Sequence, residues 1–220
     1  MDRMELMESR HSVRQYLKKE IEEEKRQALD MLAEQLSEEG RLHIQILYEE
    51  PECFDSRMAH YGHFENVRNY MVLAGKKEKD LDERCGYYGE QLVLKAQELG
   101  LNTCWVALTH GKSKALLEKG EKEVILISLG YGKNQGSPHR NRNPERLSDL
   151  KQDDPEWYKE GVKAALLAPT ATNQQKFRLE RNGSTVSAKV TGISPYIKLD
   201  LGIVKYHFEL GAGTENFRWA

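Results

Sequence analysis

Apolar residues recur at helical spacing over 20–37, where Ile21, Ala28, Leu29, Leu32, Ala33 and Leu36 fall every three or four positions among charges, and Gly40 stops the run. The pattern then switches period. Residues 42–48 alternate apolar and polar and predict a strand, 51–64 read as an irregular loop, and 67–74 predict a second strand. A largely apolar stretch over 81–99, ended by Gly100, predicts a buried helix. Beyond it the pattern predicts a strand at 103–108, a short helix at 113–118 and a buried strand at 124–129. A polar connector over 130–153 contains Arg140-Asn141-Arg142. Asp153-Asp154-Pro155 then supplies an N-cap and a first-turn proline for a helix running to Leu167. Strands at 176–181 and 185–190 flank Asn182-Gly183, a strong hairpin signal, and a last helix occupies 196–210 before Gly211. Interspersed helices and strands with one antiparallel hairpin predict an α+β fold with a mixed sheet.

The order of elements repeats. Each half reads as an arginine-bearing segment, a helix, two strands and a long helix, the long helices ending Glu98-Leu99-Gly100 and Glu209-Leu210-Gly211. Both long helices carry an internal glycine, and Leu92-Val93 matches Ile203-Val204. The expectation is an internal duplication, with halves at 1–132 and 133–220 forming one compact unit.

Composition narrows the function classes. The chain has 220 residues, and its 33 basic and 35 acidic side chains nearly cancel, so no overall field draws it to nucleic acid or membrane. No stretch of 18 or more apolar residues is present, and the N-terminal residues lack the apolar core of a signal peptide, which points to a cytoplasmic protein. Cys53, Cys85 and Cys104 lack Cys-x-x-Cys spacing and are odd in number, against a disulfide framework. Cys53, His60, His63 and Asp55 match no standard zinc spacing, so no metal site is expected. Gly130-Tyr131-Gly132-Lys133 lacks the phosphate-loop spacing, His207 reads as a buried or half-buried structural histidine, and Cys104 as packing.

Two segments carry candidate chemistry. In an extended strand Arg10, Ser12 and Arg14 would share a face and present two guanidinium forks and a hydroxyl to one anion, although Arg-x-Ser-x-Arg also occurs on solvated surfaces. Far along the chain, Ala168-Pro169-Thr170-Ala171-Thr172-Asn173-Gln174-Gln175 ends a helical run in small and hydroxyl residues and then delivers amide side chains.

Together with Tyr88–Val106, these segments resemble the nitroreductase family of flavoproteins, and the likeness covers most of the chain. The resemblance implies an FMN-binding α+β sandwich round a central mixed or antiparallel sheet. It implies that Arg10, Ser12 and Arg14 hold the FMN phosphate, with His11 on the ribityl chain or ring edge. Arg140 and Arg142 resemble a second basic pair directed at the same phosphate, against the plainer reading of a solvated loop. Pro169, Thr170, Thr172 and Asn173 belong to the ring side, with Gln175 matching the family's glutamine. Leu108 and Thr109 stand in the loop facing flavin N5, where small residues or glycine are usual, and Lys176-Phe177 stands where proline and an aromatic are usual.

In family dimers the arginine segment of one subunit meets the Pro-…-Asn segment of the other. Here the two lie in opposite halves of one chain, and 37–40 lacks the reciprocal Pro-…-Asn signature. The implied protein is a pseudo-dimer, itself monomeric or a homodimer, with one flavin site. Its implied partners are NADH or NADPH and a small aromatic acceptor, a nitroaromatic or quinone, reduced by ping-pong hydride transfer. The flavin does the chemistry, so no catalytic side chain is required. The alternative is a flavin-binding protein without turnover, serving storage, sensing or electron relay.

Overall fold

The computed structural model describes residues 2–138 and 140–220. Its contacts divide the chain into two compact units: Arg10–Leu81 with Leu92–Pro138, and Met1–Ser9 with Asp82–Gln91 and His139–Ala220. These units are drawn differently from the halves 1–132 and 133–220, because residues 1–9 and 82–91 group with the C-terminal part of the chain.

The following helices are seen: α1 (Arg3–Ser9), α2 (Glu23–Gly40), α3 (Arg57–Tyr61), α4 (Leu81–Glu98), α5 (Pro144–Leu147), α6 (Glu156–Ala165) and α7 (Ile197–Ala212). The strands are β1 (His43–Leu47), β2 (Asn69–Lys76), β3 (Asn102–Val106), β4 (Glu121–Gly130), β5 (Phe177–Asn182), β6 (Thr185–Val190) and β7 (Arg218–Trp219).

The unit containing Arg10–Leu81 is built on an antiparallel sheet of order β1-β2-β4-β3. β2 is the apolar run Tyr70-Met71-Val72-Leu73-Ala74, every residue of it buried, which is what a strand covered on both faces requires. α2 buries Leu29, Ala33 and Leu36 and closes on Arg41, left-handed at φ 48, with the Leu42 amide donating to Ser37 O at 2.9 Å. The turn leads directly into β1. The expected 51–64 loop contains a 3₁₀ turn at Glu52–Phe54 and the short helix α3, capped by Ser56 Oγ accepting from the Ala59 amide at 3.1 Å.

The expected helix at 113–118 is absent; the segment is irregular. Its backbone is claimed by side chains distant in sequence. Gln45 Nε2 donates to Leu116 O at 2.9 Å and Gln45 Oε1 accepts from the Leu116 amide at 3.0 Å, while Tyr70 Oη accepts from the Lys114 amide at 3.1 Å. Each such bond replaces one a helix would make.

In the second unit β5 and β6 pair antiparallel in the register Asn182↔Thr185, and β7 adds parallel to β6. Gly183 at φ 61 makes the hairpin turn the sequence predicts. Asp154 does not cap α6. Pro155 occupies that position, and the Asp154 carboxylate instead accepts from the Lys151 amide at 2.8 Å and from Arg181 Nη2 at 2.6 Å.

α4 and α7 cross at two glycines. A Cβ on Gly86 would lie 1.9 Å from Leu199 O, and one on Gly202 would lie 1.9 Å from Glu83 O. The contact is reciprocal, with the residue three before each glycine meeting the other glycine. It sets Gly86 opposite Gly202, a different register from the sequence match of Leu92-Val93 with Ile203-Val204.

Beside this crossing His207 and Glu90 are both wholly buried, with His207 Nε2 2.9 Å from Glu90 Oε1 and Nδ1 3.2 Å from Ala164 O. Each ring nitrogen thus faces an oxygen inside the helix layer. Removing one member leaves the other buried without its partner, and His207→Ala is expected to cost about 3–5 kcal/mol in denaturant unfolding. Replacing both residues with leucine should restore most of that loss. A single variant within about 1 kcal/mol of the unsubstituted chain would show that the pair does not secure these helices.

Candidate functional site

Residues 10–17 run extended along the ends of several strands. The Val13 amide donates to Thr103 O at 3.0 Å, the Tyr16 amide to Glu65 O at 3.0 Å, the Leu17 amide to Tyr131 O at 2.7 Å, and Lys133 N to Gln15 O at 2.8 Å. Tyr16 Oη is fixed in the core, donating to Val13 O at 2.7 Å and hydrogen-bonding Ser128 Oγ at 2.8 Å. A segment held this firmly presents its side chains in fixed directions.

Cys104 reports where they go. Burial pushes this thiol up, and the effect is opposed by Arg14, by the hydrogen-bonding side chain of Ser12 and by Arg10. All three thus bear on Cys104, with the Ser12 side chain in hydrogen-bonding reach of it. Arg10 is buried at 4 % exposure, Ser12 half-buried and Arg14 exposed.

His11 is steered by the segment after β4. Its Nδ1 lies 3.0 Å from Gln135 O, and a Cβ on Gly136, which sits at φ +70, would come within 2.7 Å of His11 Cβ. Asn102 supports that segment, donating from Nδ2 to Gln135 Oε1 at 3.0 Å and accepting from the Gly132 amide at 2.9 Å. Leu108 and Thr109 follow β3. Thr109 backs onto Gly62 at the end of α3, while Leu108 is 70 % exposed. Their loop is anchored where the Gly111 amide donates to Cys53 O at 2.6 Å.

In the other unit the 168–175 segment is a tight polar knot. Thr172, Asn173 and Gln175 are left-handed at φ 50, 55 and 42, a region costly for non-glycine residues and most of all for a β-branched threonine. The Gln175 amide nitrogen of the backbone donates to Thr170 Oγ1 at 3.0 Å. Asn173 Nδ2 and Gln175 Nε2 both donate to Arg140 O, at 2.9 and 2.8 Å, and Gln175 Oε1 accepts from the Arg142 amide at 2.8 Å. The amides thus grip the backbone of Arg140 and Arg142, leaving both guanidinium-bearing residues exposed and Gln175 buried. Pro169 and Thr170 are half-buried and Thr172 is exposed. Residues 10–14, 108 and 109 are assembled in one unit, and 140, 142 and 169–175 in the other.

Several of these supports escape a sequence reading. Asn102, Gly136 and Gln174 have no local signature. Asp200 does carry one, a lone acid within the apolar run Leu199-Asp200-Leu201, buried and hydrogen-bonded to Ala171 and Gln174. Of the residues weighed against zinc, Cys53 is buried, with its thiol pushed up to about 11 by burial, and His60 Nε2 lies 3.6 Å from Asp55 Oδ1 on the surface. Among the described residues no group of three His, Cys, Asp or Glu side chains is arranged to hold a metal, and no helix is long and apolar enough to cross a membrane.

Comparison with known proteins identifies the family. A family model described as "Putative TM nitroreductase" matches residues 2–212. A putative nitroreductase from Thermotoga maritima superposes with a TM-score of 0.69 at 22% identity, over 96% of this chain and 83% of that one. A putative nitroreductase from Desulfovibrio desulfuricans, in complex with FMN, gives a TM-score of 0.55 at 15% identity over 70% of this chain and 99% of that one. A putative NADH oxidase from Clostridium acetobutylicum gives 0.51 at 20% identity, over 68% and 99%. No curated protein matches the chain. With the family model spanning nearly the whole sequence, the chain belongs to the "Putative TM nitroreductase" family.

Proposed function

We propose that this protein is an FMN-dependent NAD(P)H oxidoreductase that passes hydride to nitroaromatic or quinone acceptors in a ping-pong sequence. The observation that carries the reading is a firmly held extended segment bearing Arg10, Ser12 and Arg14 at strand spacing, in a chain whose residues 2–212 match a nitroreductase family model. That donor set suits a phosphate: guanidinium forks match phosphate oxygens, and a buried arginine among them is shielded from competing water. FMN, when bound, supplies the hydride chemistry at its N5. The chain's own work is to hold and orient. Arg10, Ser12 and Arg14 grip the phosphate, and His11, fixed through Gln135 and Gly136, covers the ribityl chain. Pro169, Thr170, Thr172, Asn173 and Gln175 serve the ring side, and Arg140 and Arg142 add positive charge for the phosphate. Leu108 and Thr109 border the reacting face.

One chain stands for a family dimer in this reading. Apart from α3 between β1 and β2, the order α2–β1–β2–α4 recurs as α6–β5–β6–α7, each strand pair is antiparallel, and the Gly86–Gly202 crossing is reciprocal in the manner of a two-fold interface. The reciprocal flavin site is lost, since α2 ends in the tight Arg41 turn while α6 leads to the amide-bearing 168–175 knot. Extraction of flavin from the reconstituted protein is expected to give about one FMN per chain, and anaerobic NADH or NADPH should bleach its yellow absorbance. Two flavins per chain would sink the single-site reading. Bound flavin that stays oxidised would sink the reductase.

A further inference from the structure

Thr172, Asn173 and Gln175 hold conformations that side-chain-bearing residues seldom adopt, so something in the surrounding structure must impose them. Asn173 and Gln175 are held from the connector through Arg140 O and the Arg142 amide, and a second hold on the segment comes from α7. Asp200, 4 % exposed, accepts from the Ala171 amide at 3.0 Å through Oδ1 and from Gln174 Nε2 at 2.6 Å through Oδ2. Gln174 Nε2 also donates to Pro195 O at 3.2 Å, which ties the knot to the entry of α7. We infer that Asp200 is a positioning residue whose carboxylate clamps the 169–175 segment at Ala171 and Gln174 and so fixes Thr172 and Asn173 for the flavin ring. The inference rests on the flavin reading given above.

A carboxylate in such a place is otherwise unfavourable. Burial pushes it up to about 6, against the hydrogen bonds from Gln174 and Ala171, and a buried acid is tolerated only where its oxygens are matched. Both of its oxygens are matched by groups of the knot. An isosteric amide keeps the acceptor for Ala171 and lets the Gln174 amide turn to complement it, whereas alanine removes both contacts.

The test uses the full chain and two readouts. In flavin-free protein, exchange of the Ala171 amide is expected to accelerate at least tenfold in Asp200→Ala and to stay within about threefold in Asp200→Asn. In FMN titration followed by flavin fluorescence, Asp200→Ala should bind about tenfold more weakly, Asp200→Asn should recover most of the affinity, and Trp219→Phe, a change elsewhere in the same unit, should bind as the unsubstituted chain does. Unchanged exchange and affinity in Asp200→Ala would overturn the inference, as would equal weakening in Trp219→Phe, which would make the effect one of general stability. Failure of the unsubstituted chain to take up FMN, with the exchange difference intact, would overturn the flavin reading instead.

Discussion

Arg14→Ala is expected to weaken FMN binding about a hundredfold or more while leaving the fold in place. The guanidinium is exposed, so its removal opens no cavity, and surface changes of that kind usually shift stability by within about 0.5 kcal/mol. Its loss at the site is far larger. A charge-assisted hydrogen bond contributes roughly 1.5–3 kcal/mol. A fork that makes two such bonds to phosphate therefore accounts for two or more decades of affinity, at about 1.4 kcal/mol per decade. Arg14→Lys should recover only part, because an ammonium supplies the charge without the planar pair of donors. Arg10 is the less clean choice, since it is buried and its removal disturbs packing as well. The measurement is FMN affinity by fluorescence titration at two salt concentrations, with thermal unfolding of the flavin-free protein as the companion. An Arg14→Ala chain that binds FMN normally would remove the phosphate assignment.

The features legible in the sequence are those whose causes are local. Asn182-Gly183 announces its hairpin because turn chemistry resides in the turn residues themselves, and Gly183 is left-handed as that chemistry demands. β2 is legible as an apolar run, although it lies at Asn69–Lys76 and not at 67–74, since its end is set by pairing with Glu121 on β4. Strand periodicity places Arg10, Ser12 and Arg14 on one face as an expectation, and what the structure adds is the backbone hold on that segment from Thr103, Glu65 and Tyr131.

What escaped depends on partners far along the chain. Residues 113–118 have a helical composition, yet Gln45 and Tyr70 claim their backbone groups. β7 is two residues long and exists because Thr185 and Val186 receive it. Asn173 and Gln175 were legible as amides following a helix. That they would grip the backbone of Arg140 and Arg142 was not, because the connector's return to them is a property of the folded chain. Asp200 is the same case, an acid whose neighbours stand about thirty residues away in sequence.

The α4–α7 crossing carries the other large expected effect. Gly202→Ala would drive a methyl to 1.9 Å from Glu83 O and 2.7 Å from Tyr87 N, and Gly86→Ala would drive one to 1.9 Å from Leu199 O and 3.2 Å from Ile203 N. The obstructing atoms are helix backbone, so no rotamer change relieves the contact and the helices must separate. Separation strips packing from Leu199, Leu201, Ile203 and the rest of the apolar run on α7, so each substitution is expected to destabilise by about 3 kcal/mol or more, at or above the upper end of ordinary overpacking. Because the contact is reciprocal, the two losses should be similar. The double variant should cost clearly less than their sum, since the first methyl already parts the helices that the second would obstruct. Urea unfolding of the three variants measures all of this. Similar single losses with strong non-additivity would fit one shared, symmetric crossing, which the proposed duplication expects. A tolerated Gly86→Ala beside a disruptive Gly202→Ala would mean the crossing is not symmetric and would count against the proposed duplication.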